Sequence, residues 1–173
     1  GVRLADVGTR VHEYGGKAYA VYHGVIVFSD RSDGRVYAFD TSEPRRGVRP
    51  LTTLSKVRYG DFWIADERDL VYAVAEDHSG EGEPVNSIVA IPLDGSAARD
   101  DAAIIPVFGG TDFAQAPTVS PDGTKLAWIS WNHPNMPWTY SQLHVASLTF
   151  EGTIDQEVVL VDRPGVCVYE PRW

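Results

Sequence analysis

Apolar and polar positions alternate in short runs along most of this chain, and the runs come in sets. The clearest set lies between Ala116 and Leu148. A short strand at Thr118–Val119 leads into Ser120-Pro121-Asp122-Gly123. Lys125–Trp131 follows, with Leu126, Trp128, Ile129 and Trp131 as its apolar positions. A long aromatic loop then precedes a second alternating run, Gln142–Leu148. Proline presets φ for the first corner of a tight turn, and Gly123 tolerates the positive φ that a second corner can demand. Strands joined this tightly are antiparallel neighbours.

Similar runs fill the rest of the chain. Ala18–Tyr22, Val25–Ser29 and Val36–Phe39 are rich in Val, Ile, Tyr and Phe, and His23-Gly24 and Ser32-Asp33-Gly34 separate them. Phe62–Ala65, Leu70–Ala75, Ser87–Ile91 and Ile104–Phe108 form another set, and Glu157–Val161 completes the last. Nowhere do apolar residues hold a 3.6-residue period for about three turns, so helices are few and the chain is all-β.

The sets repeat. An aromatic residue stands before the first strand of each: Tyr14, Tyr59, Phe113 and Tyr169, at offsets of 45, 54 and 56 residues. The first three lead to tight turns at His23-Gly24, Glu67-Arg68 and Asp122-Gly123. Four strands per unit at a period of about 40–55 residues is the signature of a β-propeller, each unit a blade. A β-sandwich with coincidental spacing is the competing architecture. The joint repetition of aromatic, turn and loop favours the propeller. The units run roughly 14–58, 59–112 and 113–168, with the start of another at 169–173. Closure needs about 4–8 blades, so the expectation is a segment of a larger protein. Gly1–Val11 reads as the outer strand or linker of an earlier blade.

Composition narrows the function classes. A hydrophobic fraction of 43% and a charged fraction of 23% over 173 residues are those of a folded globular domain. A net charge of -9 argues against a nucleic-acid partner, because phosphate binding needs a basic surface. No apolar run reaches the roughly 18 residues of a membrane span, and no membrane partner is expected. Cys167 is the single cysteine, which forbids an internal disulfide and fits a reducing, cytoplasmic compartment. Set between Val166 and Val168, it reads as a small buried hydrophobe rather than a nucleophile. The histidines lack metal-ligand spacing, so no metal and no cofactor are expected. No G-x-S-x-G occurs, and scattered Ser, His and Asp residues show no triad spacing.

Turns alternate between the two ends of a meandering blade, and the long loops fall at one of them. These are Ser29–Arg35, Glu76–Asn86, Asn132–Ser141 and the link Arg10–Lys17. Binding residues favour such loops on a rigid scaffold. Glu13, Tyr14, His133, Trp138 and Tyr140 are therefore expected to converge on one rim. Pro134 and Pro137 stiffen the loop around Asn135 and Met136, so that Trp138 can present a flat apolar wall. Tyr14, as the repeat-marking aromatic, also suits packing between blades.

The strings HEYGGKAYAV, EDHSGEGEPVN, SPDGTKLAW, NHPNMPW and QLHVASL resemble the N-terminal propeller of the prolyl oligopeptidase family of serine peptidases. The bacterial acylaminoacyl-peptidase and dipeptidyl-aminopeptidase-like branch is the most similar, over about Val11 to Trp173. Lys17 stands where a third glycine is common, and Thr139 follows Trp138 where an acidic residue is common. The resemblance implies a propeller capping a C-terminal α/β-hydrolase domain that supplies the Ser, Asp and His of the triad. No residue of this chain is then catalytic. The propeller's share is substrate gating for an aminopeptidase acting on short peptides or aminoacyl amides, including those of the puromycin type. Glu13, Tyr14, Asn135 and Trp138 are the expected substrate-binding residues, with Glu13 holding the substrate's ammonium. The alternative is a non-enzymatic TolB-like propeller that binds protein partners.

Overall fold

The computed structural model describes residues 5–173, and in it the alternating runs become three sheets. The first holds β1 (Tyr19–Tyr22), β2 (Val25–Ser29), β3 (Val36–Asp40) and β4 (Arg49–Pro50). The second holds β5 (Val57–Ala65), β6 (Leu70–Asp77), β7 (Val85–Pro92) and β8 (Ile105–Phe108). The third holds β9 (Phe113–Val119), β10 (Lys125–Trp131), β11 (Gln142–Leu148) and β12 (Ile154–Val161). Each sheet is a four-stranded meander in chain order. Among the described residues the helical segments are all short 3-10 turns, as the lack of helical periodicity predicts. The expected all-β propeller segment with three blades is what forms.

Two apolar cores lie between the blades. Val71, Ala73 and Ala75 of β6, with Val89 and Ile91 of β7, face the first sheet's Val27, Val36 and Ala38, and Leu51 just beyond β4. Their alternates Leu70, Tyr72, Ile88 and Ala90 face the third sheet's Val119, Leu126, Trp128 and Ala146. The middle blade thus buries both faces, which is why β6 is buried along nearly its whole length. The faces of the two flanking blades turned away from the middle one are less covered: Tyr19 and Val21 of β1, and Val158 and Leu160 of β12, are exposed. Tyr72 Oη donates to the Gly152 carbonyl at 3.0 Å and ties the second blade to the third. Burial pushes the Tyr72 phenol up to about 12.

The first strands of the second and third blades each carry a bulge. Between Gly60↔Val74 and Trp63↔Tyr72, β5 advances three residues while β6 advances two. Between Gln115↔Ile129 and Thr118↔Ala127, β9 does the same against β10. The extra residues are Asp61 and Ala116, both left-handed at φ +52° and +55°. An extra residue reverses the in–out alternation. Tyr59 before the Asp61 bulge and Phe62 and Ile64 around and beyond it therefore all reach the first core. Ala114 and Val119 likewise both reach the second. The sequence alternation shows only the halves beyond the bulges, so the expected Phe62–Ala65 and Thr118–Val119 are the ends of longer strands.

The two bulges are stitched together. The Asp61 carboxylate accepts Lys17 N–H at 2.7 Å through Oδ1 and Ala116 N–H at 3.0 Å through Oδ2. Asp61 N–H donates back to the Lys17 carbonyl at 2.8 Å. One buried side chain thus joins the inner edges of three blades.

Several details depart from the sequence expectations. Gly123 N–H donates to the Ser120 carbonyl, so the turn's corners are Pro121 and Asp122, and Gly123, at φ +69°, follows them. Asp122 closes this turn, and hydrogen bonds from Ser120 and Thr124 pull its carboxyl down to about 2. Cys167 is exposed, not buried. It lies in the stretch after β12 that pairs with no strand, so its valine neighbours do not mark a strand interior. Tyr14 and Tyr169 are largely exposed, whereas Tyr59 is buried, so the repeat-marking aromatics do not share one packing role. Of the leading segment, Gly1–Leu4 lie outside the described residues, and Val7 bridges Asp30 at the end of β2.

Candidate functional site

The ends of β6 and β10, the starts of β5, β7 and β9, and the link at 10–17 meet at one end of the blades. The link turns sharply there. His12 and Glu13 are consecutive left-handed residues, at φ +55° and +64°, a conformation that side chains with a Cβ rarely adopt. What holds them is Glu76 at the end of β6. Its buried carboxylate accepts His12 N–H at 2.7 Å through Oε2. Its Oε1 accepts from Arg58 Nη1 at 3.2 Å and lies 2.6 Å from His78 Nε2. Arg58 Nη1 also donates to Glu13 Oε1 at 2.6 Å and to the Arg10 carbonyl at 3.1 Å. The hydrogen bond and charge of Arg58 hold the Glu13 carboxyl below its ordinary range.

The His12 ring is turned inward. Its centroid lies 5.5 Å from both Phe113 and Trp131 and 5.8 Å from Tyr14. Burial lowers its proton affinity, against a smaller opposing pull from Glu76 and Asp61. The imidazole is therefore neutral around pH 7.

Beside it opens a cleft of about 310 Å³ lined by His12, Glu13, Glu76, Glu83, Pro84, Asn86, Asp112, Phe113 and His133. Four of these are carboxylates, and none is a lysine or arginine. Asp112 Oδ2 accepts the His133 N–H at 2.8 Å and lies 3.1 Å from His133 Nδ1, which keeps the Asp112 carboxyl low. Asn132 Oδ1 in turn accepts Asp112 N–H at 2.7 Å, which fixes the aromatic loop to the β8–β9 link. The His12 ring and the Asn86 side chain meet in the lining, where Asn86, like Glu76 and Asp61, pulls against the burial that lowers the His12 proton affinity. A concave pocket lined by four carboxylates suits a small cationic ligand.

The structure gathers some of the expected rim residues and separates others. Glu13 and His133 share the cleft. Tyr14 lines a neighbouring hollow of about 350 Å³ with Lys17, Asp61, Tyr169 and Glu170. Asn135 is half-buried and its N–H donates to the Asn132 carbonyl. Trp138 is 64% exposed and lies outside the cleft lining. Tyr140 is turned to Asp162, to which its hydroxyl donates. Glu76, Asn86, Asp112 and Arg58 were not singled out from the sequence. Glu76 opens the EDHSGEGEPVN string, but nothing local marks it as the partner of a residue 64 positions away.

Glu13, Glu76 and His78 place potential metal donors within 4.8 Å of one another, a grouping that spacing along the chain does not reveal. Arg58 Nη1 already bonds both carboxylates, so the cluster reads as an ion-pair network.

A second polar chain runs across the third blade. Ser130 Oγ lies 2.8 Å from His144 Nε2, and His144 Nδ1 lies 2.6 Å from Glu157 Oε1. This is the bonding order of a Ser–His–carboxylate triad. Ser130 is fully buried, however, and His144 stacks on Trp128 with ring centroids 5.0 Å apart. No substrate carbonyl can reach the hydroxyl. The chain instead braces β10, β11 and β12.

Neither a family model nor a curated protein matches the sequence. Solved structures do. A puromycin hydrolase is 35% identical over 92% of this chain, with a TM-score of 0.82. A mutant of puromycin hydrolase complexed with PGG gives the same identity and TM-score over 91% of the chain. A puromycin-hydrolyzing peptidase of Mycobacterium tuberculosis is 36% identical over 93%, with a TM-score of 0.80. The chain spans about a quarter (26%) of the length of each of these. The three blades, their order and the sequence agreement make this chain similar to about a quarter of the length of the puromycin hydrolases and consistent with an N-terminal propeller segment of a peptidase of the prolyl oligopeptidase family.

Proposed function

We propose that this chain is part of the substrate-gating propeller of a serine aminopeptidase that hydrolyses short peptides or aminoacyl amides, including compounds of the puromycin type. The observation that carries the proposal is the cleft in which Glu13, Glu76, Glu83 and Asp112 meet without a lysine or arginine in the lining. A substrate with a free N-terminus carries an ammonium near pH 7. Burying it unpaired is heavily penalised, and a carboxylate-lined cleft removes that penalty. In this reading Glu13 is the receiving carboxylate, with 76% of its side chain exposed. Asn135 and Trp138, on the loop that leaves the cleft through His133, and Tyr14 in the adjoining hollow flank the substrate's apolar part. Bond cleavage falls to the serine, histidine and acid of the C-terminal α/β-hydrolase domain. There the serine attacks the scissile carbonyl and histidine moves the proton. The names of the solved puromycin hydrolases support the substrate class.

The test is Glu13→Gln in the full-length enzyme, assayed on phenylalanyl and N-acetylphenylalanyl 4-nitroanilides. The expected result is a loss of about tenfold or more in kcat/KM on the free-amine substrate, with little change on the blocked one and little change in Tm. An unchanged ratio between the two substrates sinks the ammonium site. Equal losses on both, with earlier melting, assign Glu13 to bracing the link.

A further inference from the structure

The geometry points to Arg58 as a built-in stand-in for the substrate's ammonium: it holds Glu13 until a free-amine substrate takes Glu13 over, while Arg58 itself stays on Glu76. This rests on the ammonium reading above and adds how the site is kept in order. One nitrogen, Arg58 Nη1, contacts both carboxylates, at 2.6 Å for Glu13 and 3.2 Å for Glu76. The two contacts are not equivalent. The Glu76 side chain is 4% exposed, so its charge cannot lose its cation to water. The Glu13 side chain is 76% exposed, and an exposed ion pair exchanges partners at small cost.

Arg58 is also held from a second direction, since its Nη1 donates to the Arg10 carbonyl. The backbone of Glu13 is fixed as well, left-handed at φ +64° with its N–H on the Arg10 carbonyl at 2.9 Å. Only the Glu13 side chain is free to move. Glu13 and Glu76 line the acidic cleft, whereas Arg58 lines the neighbouring one. Turning Glu13 toward the cleft therefore breaks its Arg58 contact without disturbing the link. The ligand class that can make this exchange is a primary ammonium small enough for the cleft of about 310 Å³. Arg58 thus acts as a positioning residue that sets how tightly the amine binds, and it takes no part in the chemistry.

Removing the competitor should tighten amine binding. In full-length enzyme, Arg58→Gln should lower KM for phenylalanyl 4-nitroanilide by about two- to fivefold. The ratio of kcat/KM for the free-amine substrate to that for the N-acetyl substrate should rise by the same factor. A KM that is unchanged or raised, or equal changes for both substrates, overturns the exchange. Because Arg58→Gln takes the arginine away from buried Glu76, a second measurement avoids the variant. In a crystal structure of the wild-type full-length enzyme with phenylalaninamide, the amine should sit on Glu13. The Glu13–Arg58 separation should then exceed the hydrogen-bond limit of about 3.5 Å. An intact contact of 2.6 Å with the amide bound overturns it. The two proposals fail separately. If Glu13→Gln leaves the substrate ratio unchanged, the ammonium site fails. If Glu13→Gln shifts the ratio but Arg58→Gln does not lower KM, the exchange alone fails.

Discussion

His12 shows how one residue serves both the link and the cleft. Its N–H is held by Glu76, its ring is enclosed by Phe113, Trp131 and Tyr14, and it lines the cleft beside Asn86. Burial lowers its pKa from the ordinary 6.5, so the unfolded chain takes up its proton more readily than the folded one. The sign follows from linkage: stability is fully present above 6.5 and is lost as pH falls through the lowered folded value. Melting temperature should therefore fall between about pH 7 and about pH 5. His12→Phe, which keeps a ring in the enclosure and removes the titration, should flatten that slope. Parallel slopes for variant and wild type would show that His12 contributes nothing to acid sensitivity.

At the scale of the element, the bulged first strands decide how the blades fit. A four-stranded meander with strict alternation buries one set of side chains on each face. The extra residues at Asp61 and Ala116 let both halves of β5 and β9 supply the cores on their flanks. Asp61 is the pin, because its carboxylate takes backbone N–H groups from Lys17 and from Ala116. Asp61→Ala removes both acceptors and leaves two backbone donors unmet. It should cost about 2–4 kcal/mol, or ~5–12 °C in Tm for a domain of this size. Asp61→Asn keeps one acceptor and should lose roughly half as much. A variant Asp61→Ala that melts with the wild type would show that the blades are held by their apolar cores alone.

For the whole molecule, the charge of -9 is distributed so that the cleft at one end of the blades is acidic. Raising salt from about 20 to about 200 mM shortens the screening length from ~20 to ~7 Å. In the full-length enzyme, kcat/KM on a free-amine substrate should then fall severalfold, and the N-acetyl substrate should respond little. Equal responses would mean that the field does not steer the amine. Among the described residues no helix is long and apolar enough to cross a membrane, and the exposed apolar positions lie on strands and loops.

What the sequence determined by itself was whatever is local. Lys125–Trp131 and Gln142–Leu148 could be placed to the residue because each is a run of strand-forming residues bounded by turn residues, and their pairing partners are adjacent in the chain. The repeat of about 50 residues was enough for the propeller. Glu13 was legible only through the HEYGG string, since a lone carboxylate carries no local signal. Tertiary structure decided the rest. The bulges reverse alternation at Asp61 and Ala116, and their register is set by the neighbouring strand and blade, so the full lengths of β5 and β9 could not be read. Cys167 had the neighbours of a buried residue without the strand that buries one. Glu76, Arg58 and Asp112 join Glu13 from separate elements, 45 residues apart in the case of Glu13 and Arg58. The Ser130–His144–Glu157 chain is assembled across three strands and sealed by the same packing that makes it. Contacts of this kind depend on which blade faces meet, and that is settled by burial of side chains far apart in the chain, which no window of sequence contains.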